Sequence, residues 1–178
     1  ISWVLAGGVL AGVIGPQSII LTRDLFSPIQ FAGAFAAQAV LCVLAMGVLV
    51  FVSVPRQPRA QGKGGGRPLL TILREPRIAI AILCAVASFA LMSLVMTAAP
   101  LAMVQCGLSQ NDAALGIQWH VIAMFGPSFF TGSLVARFGR ETITAIGLSL
   151  LLSAGIVALM GISVAHFWVA LILLGLGW

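Results

Sequence analysis

Residues 55–77 read PRQPRAQGKGGGRPLLTILREPR, a segment that contains six of the nine basic residues of the chain. On either side of it, residues 29–54 and residues 78–104 contain no charged residue. Each flanking run can cross the roughly 30 Å hydrocarbon core of a bilayer as a helix that rises about 1.5 Å per residue. Basic loops between membrane spans favour the cytoplasmic side. We therefore expect two transmembrane helices joined by a cytoplasmic segment.

The composition also indicates a membrane protein, because 61% of the residues are hydrophobic, 7% are charged, and the mean hydropathy is +1.16. The net charge of +5 comes from residues at the ends of apolar runs, where they act as orientation signals, so we expect a lipid bilayer and not nucleic acid as partner. The three cysteines form no CxxC pair, so neither a disulfide framework nor a metal site is expected. Nothing in the sequence indicates a cofactor.

Apolar runs between charges divide the chain into six predicted spans. They are too long, and alternate too little, for the strands of a barrel, so the fold class is all-α, a polytopic transmembrane helical bundle. The last run is too short to cross a bilayer, and the first starts inside an apolar stretch, so we expect a chain truncated at both ends. The runs are Ile1–Thr22, Ile29–Val54, Ile78–Val104, Ala113–Ala136, Thr142–Val164 and Phe167–Trp178.

The basic residues also fix the orientation of the spans. Eight of the nine lie on one side of the membrane when loops are assigned alternately. The exception, Arg23, is next to Asp24, and we expect a local ion pair between them. The first span then runs outward, and the uncharged loop at residues 105–111 lies outside.

Glycines line one face of the first predicted span. Gly8, Gly12 and Gly15 share a helical face on which a neighbouring backbone can approach closely, and Pro16 removes a backbone donor and can bend the helix. Close helix packing and a conformational hinge are both compatible with this pattern. Residues 11–16 resemble the Gly-x-x-x-Gly-Pro motif in the fifth helix of the major facilitator superfamily, with Ala11 in place of the first glycine. In that family the motif is associated with antiporters and drug efflux.

A second resemblance lies in residues 132–140, GSLVARFGR. They are similar to the Gly-x-Leu-x-Asp-Arg-x-Gly-Arg loop of the same superfamily, with Gly132, Arg137, Gly139 and Arg140 in matching positions and Ala136 where aspartate is usual. Gly139 allows a tight turn. Arg137 and Arg140 can anchor the loop at the membrane surface, hold helix C-terminal carbonyls or latch one conformational state.

The resemblance extends over the whole chain and implies helices five to ten of a twelve-helix transporter. Residues 1–54 are then the end of an N-terminal bundle and residues 55–77 a Gly- and Pro-rich cytoplasmic linker, with a short interfacial helix predicted at Pro68–Arg74. Residues 78–178 are the start of a C-terminal bundle, with three full helices and one truncated. The implied function is proton-coupled export of a small molecule by alternating access in a bacterial inner membrane, and residues 117–132 resemble an efflux-like branch.

His120 is the main candidate for a proton or substrate pathway. It lies about 12 Å below the outer edge of the fourth predicted span, which rises about 1.5 Å per residue. In a continuous helix it shares a face with Pro127, Ser128 and Thr131. Ionisable residues inside membrane helices are functional candidates, but a neutral histidine bonded to another helix is equally compatible with the sequence.

Other polar residues inside the predicted spans are Gln38, Ser93 and Thr97. They are candidates for the substrate pathway, with interhelical hydrogen bonding as the competing role. Asp112 and Glu141 begin predicted helices and are expected to cap them. The acidic residues are widely separated, and no nucleophile, base and orienting group converge, so the chain is not expected to be an enzyme. The alternatives to a transporter are a non-transporting membrane sensor or assembly scaffold and an inactive truncated product.

Overall fold

A computed structural model describes residues 2–53 and 69–178, and within these ranges the regular secondary structure is entirely helical. The all-α class predicted from the sequence is therefore correct. The helices are α1 (Ser2–Thr22), α2 (Ala32–Phe51), α3 (Leu69–Leu73), α4 (Pro76–Gln105), α5 (Gln110–Phe125), α6 (Ser128–Phe138), α7 (Arg140–Met160) and α8 (Val164–Gly177).

The described helices reproduce the predicted membrane spans. Helices α1, α2, α4 and α7 are each long and apolar enough to cross a bilayer, and α5 with α6 makes a fifth span if the bent pair is taken together. Helix α8 is shorter, at 14 residues, as expected for the last apolar run. The short helix α3 confirms a helix within the predicted segment Pro68–Arg74, and its interfacial position stays a prediction. Most of the predicted linker, residues 55–68, lies outside the described residues. The chain is an integral, multi-pass membrane protein.

The fourth predicted span is not one continuous helix, and this expectation was wrong. Helices α5 and α6 meet at an angle of 42°. The break is at Pro127, whose ring nitrogen has no hydrogen to donate to the carbonyl one turn earlier. One residue later, Ser128 Oγ donates to the carbonyl of Met124 at 3.1 Å. The face that His120 and Thr131 would share in a straight helix is therefore interrupted.

Contacts divide the chain into two compact units, residues 1–40 with 98–178, and residues 41–97. In the second unit most described side chains are exposed, and Val50 and Phe51 keep 81% and 89% of their surface accessible. Apolar helix surface of this kind suits contact with lipid or with further helices. The boundaries predicted for the two bundles and their linker stay a prediction.

Helix α5 has the central position in the first unit. It contacts α1 and α8, α7 packs on α8, and α6 contacts α1, α5 and α7. The largest fully buried side chains are Met103, His120 and Leu171. Two of these three lie where α5 meets α8, so this interface forms much of the core around the candidate site.

Candidate functional site

His120 lies on α5 and has no exposed surface. Its Nδ1 is 2.9 Å from the carbonyl oxygen of Leu171 on α8. Because a carbonyl oxygen only accepts hydrogen bonds, Nδ1 carries the hydrogen and donates it. In the neutral ring, Nε2 is then an acceptor, and this buried atom has no hydrogen-bond partner among the described residues. The histidine thus makes the interhelical bond foreseen as one of its two roles and keeps one nitrogen uncommitted.

Glycines bring the α5 and α8 backbones close together around His120. A Cβ on Gly175 would collide with the His120 carbonyl oxygen and lie 3.2 Å from the Met124 nitrogen. A Cβ on Gly116 would lie 3.0 Å from Leu171 Cδ1. Backbone atoms cannot move aside as side chains do, so α5 and α8 are held in a fixed register.

The N-terminal end of α5 is fixed by a capping box. The Ser109 hydroxyl accepts from the Asp112 amide at 3.0 Å, while the Asp112 carboxylate accepts from the Ser109 amide at 3.3 Å. This confirms the capping role predicted for Asp112. Trp168 Nε1 on α8 donates to the Asp112 carbonyl at 2.9 Å, so α8 is tied to the same turn. Glu141 lies in the first turn of α7, at the predicted helix start. The N-cap residue of α7 is Gly139, and it makes no side-chain capping bond.

Helix α1 packs on α5 through two of its three predicted glycines. A Cβ on Gly8 would lie 2.7 Å from Phe125 Cδ1, and a Cβ on Gly12 would lie 2.6 Å from Val121 Cγ1. Gly15 is different, because a Cβ there would meet nothing within 4 Å. Gly8 and Gly12 therefore pack closely against side chains of α5, whereas Gly15 has no such neighbour among the described residues.

Pro16 is buried within α1, which continues through it from Ser2 to Thr22. Its missing N–H leaves the Gly12 carbonyl without the usual donor one turn later. Ser18 Oγ donates to the Gly15 carbonyl at 2.6 Å in the same region. The hinge role of Gly12, Gly15 and Pro16 stays a prediction.

A pair of amides joins α1 and α5, and sequence reasoning missed it. Gln17 Nε2 donates to Gln118 Oε1 at 2.8 Å, and both side chains are partly buried. The signal available in the sequence was an uncharged polar residue inside each of two predicted spans. Just after the C-terminal end of α1, Arg23 forms the expected ion pair with Asp24 at 3.0 Å and donates to Gln110 Oε1 at 3.4 Å.

The remaining predicted pathway residues form local contacts. Thr97 Oγ1 donates to the Ser93 carbonyl at 2.9 Å, and Thr131 Oγ1 donates to the Pro127 carbonyl at 2.9 Å. Such bonds satisfy a hydroxyl within its own helix. Gln38 lies on the exposed surface of α2. A place for Gln38, Ser93, Thr97 and Thr131 in a substrate pathway stays a prediction.

Residues 132–138 belong to α6, and the predicted tight turn follows at Gly139. Gly139 adopts a φ of 84°, a conformation that suits glycine, and α7 begins at Arg140 directly after it. The Arg137 guanidinium lies 5.3 Å from the centre of the Phe138 ring, within the range of a cation–π contact. Among the described residues, nothing lies within 4 Å of a Cβ built on Gly132.

The fold and these contacts define a class, a polytopic α-helical membrane protein whose spans pack through glycines and a few uncharged polar bonds. The model of the Major Facilitator Superfamily matches residues 1–178, and the chain belongs to this superfamily. The family resemblance inferred from residues 11–16 and 132–140 is thereby confirmed.

Several bacterial proteins are similar to the chain over nearly its whole length. The riboflavin transporter RfnT of Brucella anthropi is 53% identical over 180 residues, which cover 100% of this chain and 45% of that protein. Two uncharacterized MFS-type transporters of Bacillus subtilis follow. YddS is 27% identical over 195 residues, which cover 99% of this chain and 44% of YddS. YdeG is 30% identical over 183 residues, which cover 93% of this chain and 42% of YdeG. The chain thus spans less than half the length of these relatives. No solved structure matches it.

Proposed function

We propose that this chain is part of a secondary active transporter that moves riboflavin, or a closely related flavin, across a bacterial inner membrane by alternating access. The observation that carries the proposal is the 53% identity to a riboflavin transporter along the entire chain. Membership of the major facilitator superfamily supplies the transport mechanism, in which two bundles rock about a central site.

The contacts of α5 support this mechanism. In the predicted organisation, α1 belongs to the N-terminal bundle and α5 and α8 to the C-terminal bundle. The α1–α5 contact uses side chains of α5, including Val121 against Gly12 and Gln118 bonded to Gln17. The α5–α8 contact involves backbone atoms, including the Leu171 carbonyl bound by His120. A separable contact between bundles and a fixed contact within one bundle are what alternating access requires.

Proton coupling is the second part of the proposal, and it rests on His120. An ionisable side chain inside a membrane helix is a candidate for proton transfer. The uncommitted Nε2 can accept a proton or a hydrogen bond without breaking the bond from Nδ1 to Leu171. Export is the direction that the efflux-like resemblance of residues 117–132 favours.

The test uses the full-length gene product in proteoliposomes, with riboflavin fluorescence as the transport signal. We expect riboflavin to move only with the protein present, and faster when a pH gradient is imposed. Orientation is assigned by protease accessibility, and the gradient direction that drives accumulation identifies export or import. Binding of riboflavin without transport would favour the sensor alternative, and no binding would refute the flavin proposal.

Two substitutions at one position separate coupling from packing. His120→Ala removes both ring nitrogens, whereas His120→Asn keeps an N–H near the position of Nδ1 and removes Nε2. We expect both variants to lose pH-driven transport, with His120→Asn expressed at the normal level. Unchanged pH-driven transport by His120→Asn would remove His120 from the proton pathway and leave it as an interhelical bond.

A further inference from the structure

The Gln17–Gln118 pair carries more hydrogen-bonding capacity than its mutual bond uses. One amide donates to the other at 2.8 Å, which occupies a single N–H and a single carbonyl lone pair. Gln17 Oε1 and the Gln118 amino group form no other hydrogen bond among the described residues. Uncompensated amides are costly away from water, so these groups favour a polar partner.

The surroundings leave one side of the pair open. Towards the cytoplasmic end, the α1–α5 contact is closed by Gly12 against Val121 and by Gly8 against Phe125. The two glutamines themselves are only partly buried, so the described helices leave part of the pair accessible.

Charge around the pair favours a neutral ligand. Helix α1 contains no charged residue between Ser2 and Thr22. On α5, Asp112 lies at the outer end within its capping box, and His120 is bonded to α8. The groups available at the pair are therefore uncharged donors and acceptors.

Paired amides suit one type of chemical group. A carboxamide presents a donor and an acceptor in one plane, which is how glutamine recognises the adjacent donor and acceptor on the edge of a nucleobase. We propose that Gln17 and Gln118 together bind the amide or imide edge of an uncharged planar heterocycle. This inference rests on the proposed function, because the isoalloxazine ring of riboflavin has such an edge, an N3–H between two carbonyl groups.

The test compares riboflavin with N3-methylriboflavin, in which a methyl group replaces the imide hydrogen. Binding to the full-length protein in nanodiscs is followed by flavin fluorescence. For the unaltered protein we expect the methylated flavin to bind about tenfold more weakly, since each tenfold corresponds to about 1.4 kcal/mol, the scale of a lost hydrogen bond. This comparison needs no variant and so does not depend on the folding of one.

The double variant Gln17→Leu with Gln118→Leu locates the discrimination. We expect it to bind the two flavins with equal, weakened affinity. The control is Gln110→Ala, which removes a different glutamine amide at the start of α5, and we expect this variant to keep the tenfold difference. Equal binding of both flavins by the unaltered protein, or discrimination that survives in the double variant, would overturn this inference while leaving riboflavin transport intact. No binding of either flavin by the unaltered protein would overturn both.

Discussion

The two faces of α5 are held by different kinds of contact. Towards α8, the His120 ring bonds a backbone carbonyl and Gly175 lies against the α5 backbone. Towards α1, side chains of α5 pack on the glycines of α1, and the polar bond joins two partly buried amides, Gln17 and Gln118. The first contact includes backbone atoms of both helices, so we expect it to be rigid, whereas the second can open by small rotations of side chains.

This difference indicates which of the two contacts can separate when the protein changes conformation. Membrane helices gain no hydrophobic driving force from packing together, so close backbone contact and buried hydrogen bonds decide how firmly a pair is held. The α5–α8 pair has both features. The α1–α5 pair has glycines only on α1 and a bond that an alternative partner can replace, so it is the better candidate for the movement.

The largest expected loss of stability is at the contact between α5 and α8. Gly175→Ala places a Cβ against the backbone of His120, which cannot yield, so we expect a loss of about 3 kcal/mol or more, the upper end for overpacking. Thermal unfolding in detergent measures the loss. The control is Gly155→Ala on α7, where a Cβ meets nothing within 4 Å. Equal stability of the two variants would contradict the close backbone contact.

The next effect concerns the buried histidine. His120→Ala leaves the α8 carbonyl without its interhelical donor and opens a cavity, so we expect a loss of about 1–3 kcal/mol. His120→Asn retains a donor near Nδ1 and is expected to lose less than half as much. Unfolding midpoints of the two purified variants give the comparison. If both lose the same amount, the bond to Leu171 does not stabilise the helix pair.

Alanine substitutions at two glycines of α1 should change the stability in opposite directions. Gly12→Ala brings a methyl group against Val121, whose β-branched side chain adjusts with difficulty, so we expect a loss of about 1 kcal/mol. Gly15→Ala meets open space and gains up to about 1 kcal/mol from its better helix propensity. Unfolding curves of the two variants measured side by side test this, and a loss at Gly15 would place it in the contact after all.

The smallest expected effect is at the amide bond. Gln17→Leu removes one interhelical hydrogen bond, and such bonds contribute about 0.6 kcal/mol in membrane proteins. We therefore expect little change in the unfolding midpoint. A loss as large as that of His120→Ala would mean that both faces of α5 are equally rigid, and the comparison between them would fail.

Most contacts of the candidate site could not be predicted from the sequence alone. His120 stood out because an ionisable residue inside an apolar run is rare, yet its partner is a backbone carbonyl, and every residue carries one. Gln118 was visible in the same run, but nothing local paired it with Gln17, which lies 101 residues away. Gly8, Gly12 and Gly15 looked equivalent, and only the neighbouring helix distinguished them.

The sequence by itself determined the membrane spans, the cap at Asp112 and the turn at Gly139. These features depend on hydropathy, charge and backbone preference, which act over a few neighbouring residues. Only the tertiary structure decided the angle between α5 and α6, the pairing of the glutamines and the burial of His120 against α8. The physical reason is that apolar helices suit lipid on any face, so the contacts between them are selected by the shape and polar bonds of residues far apart in the chain.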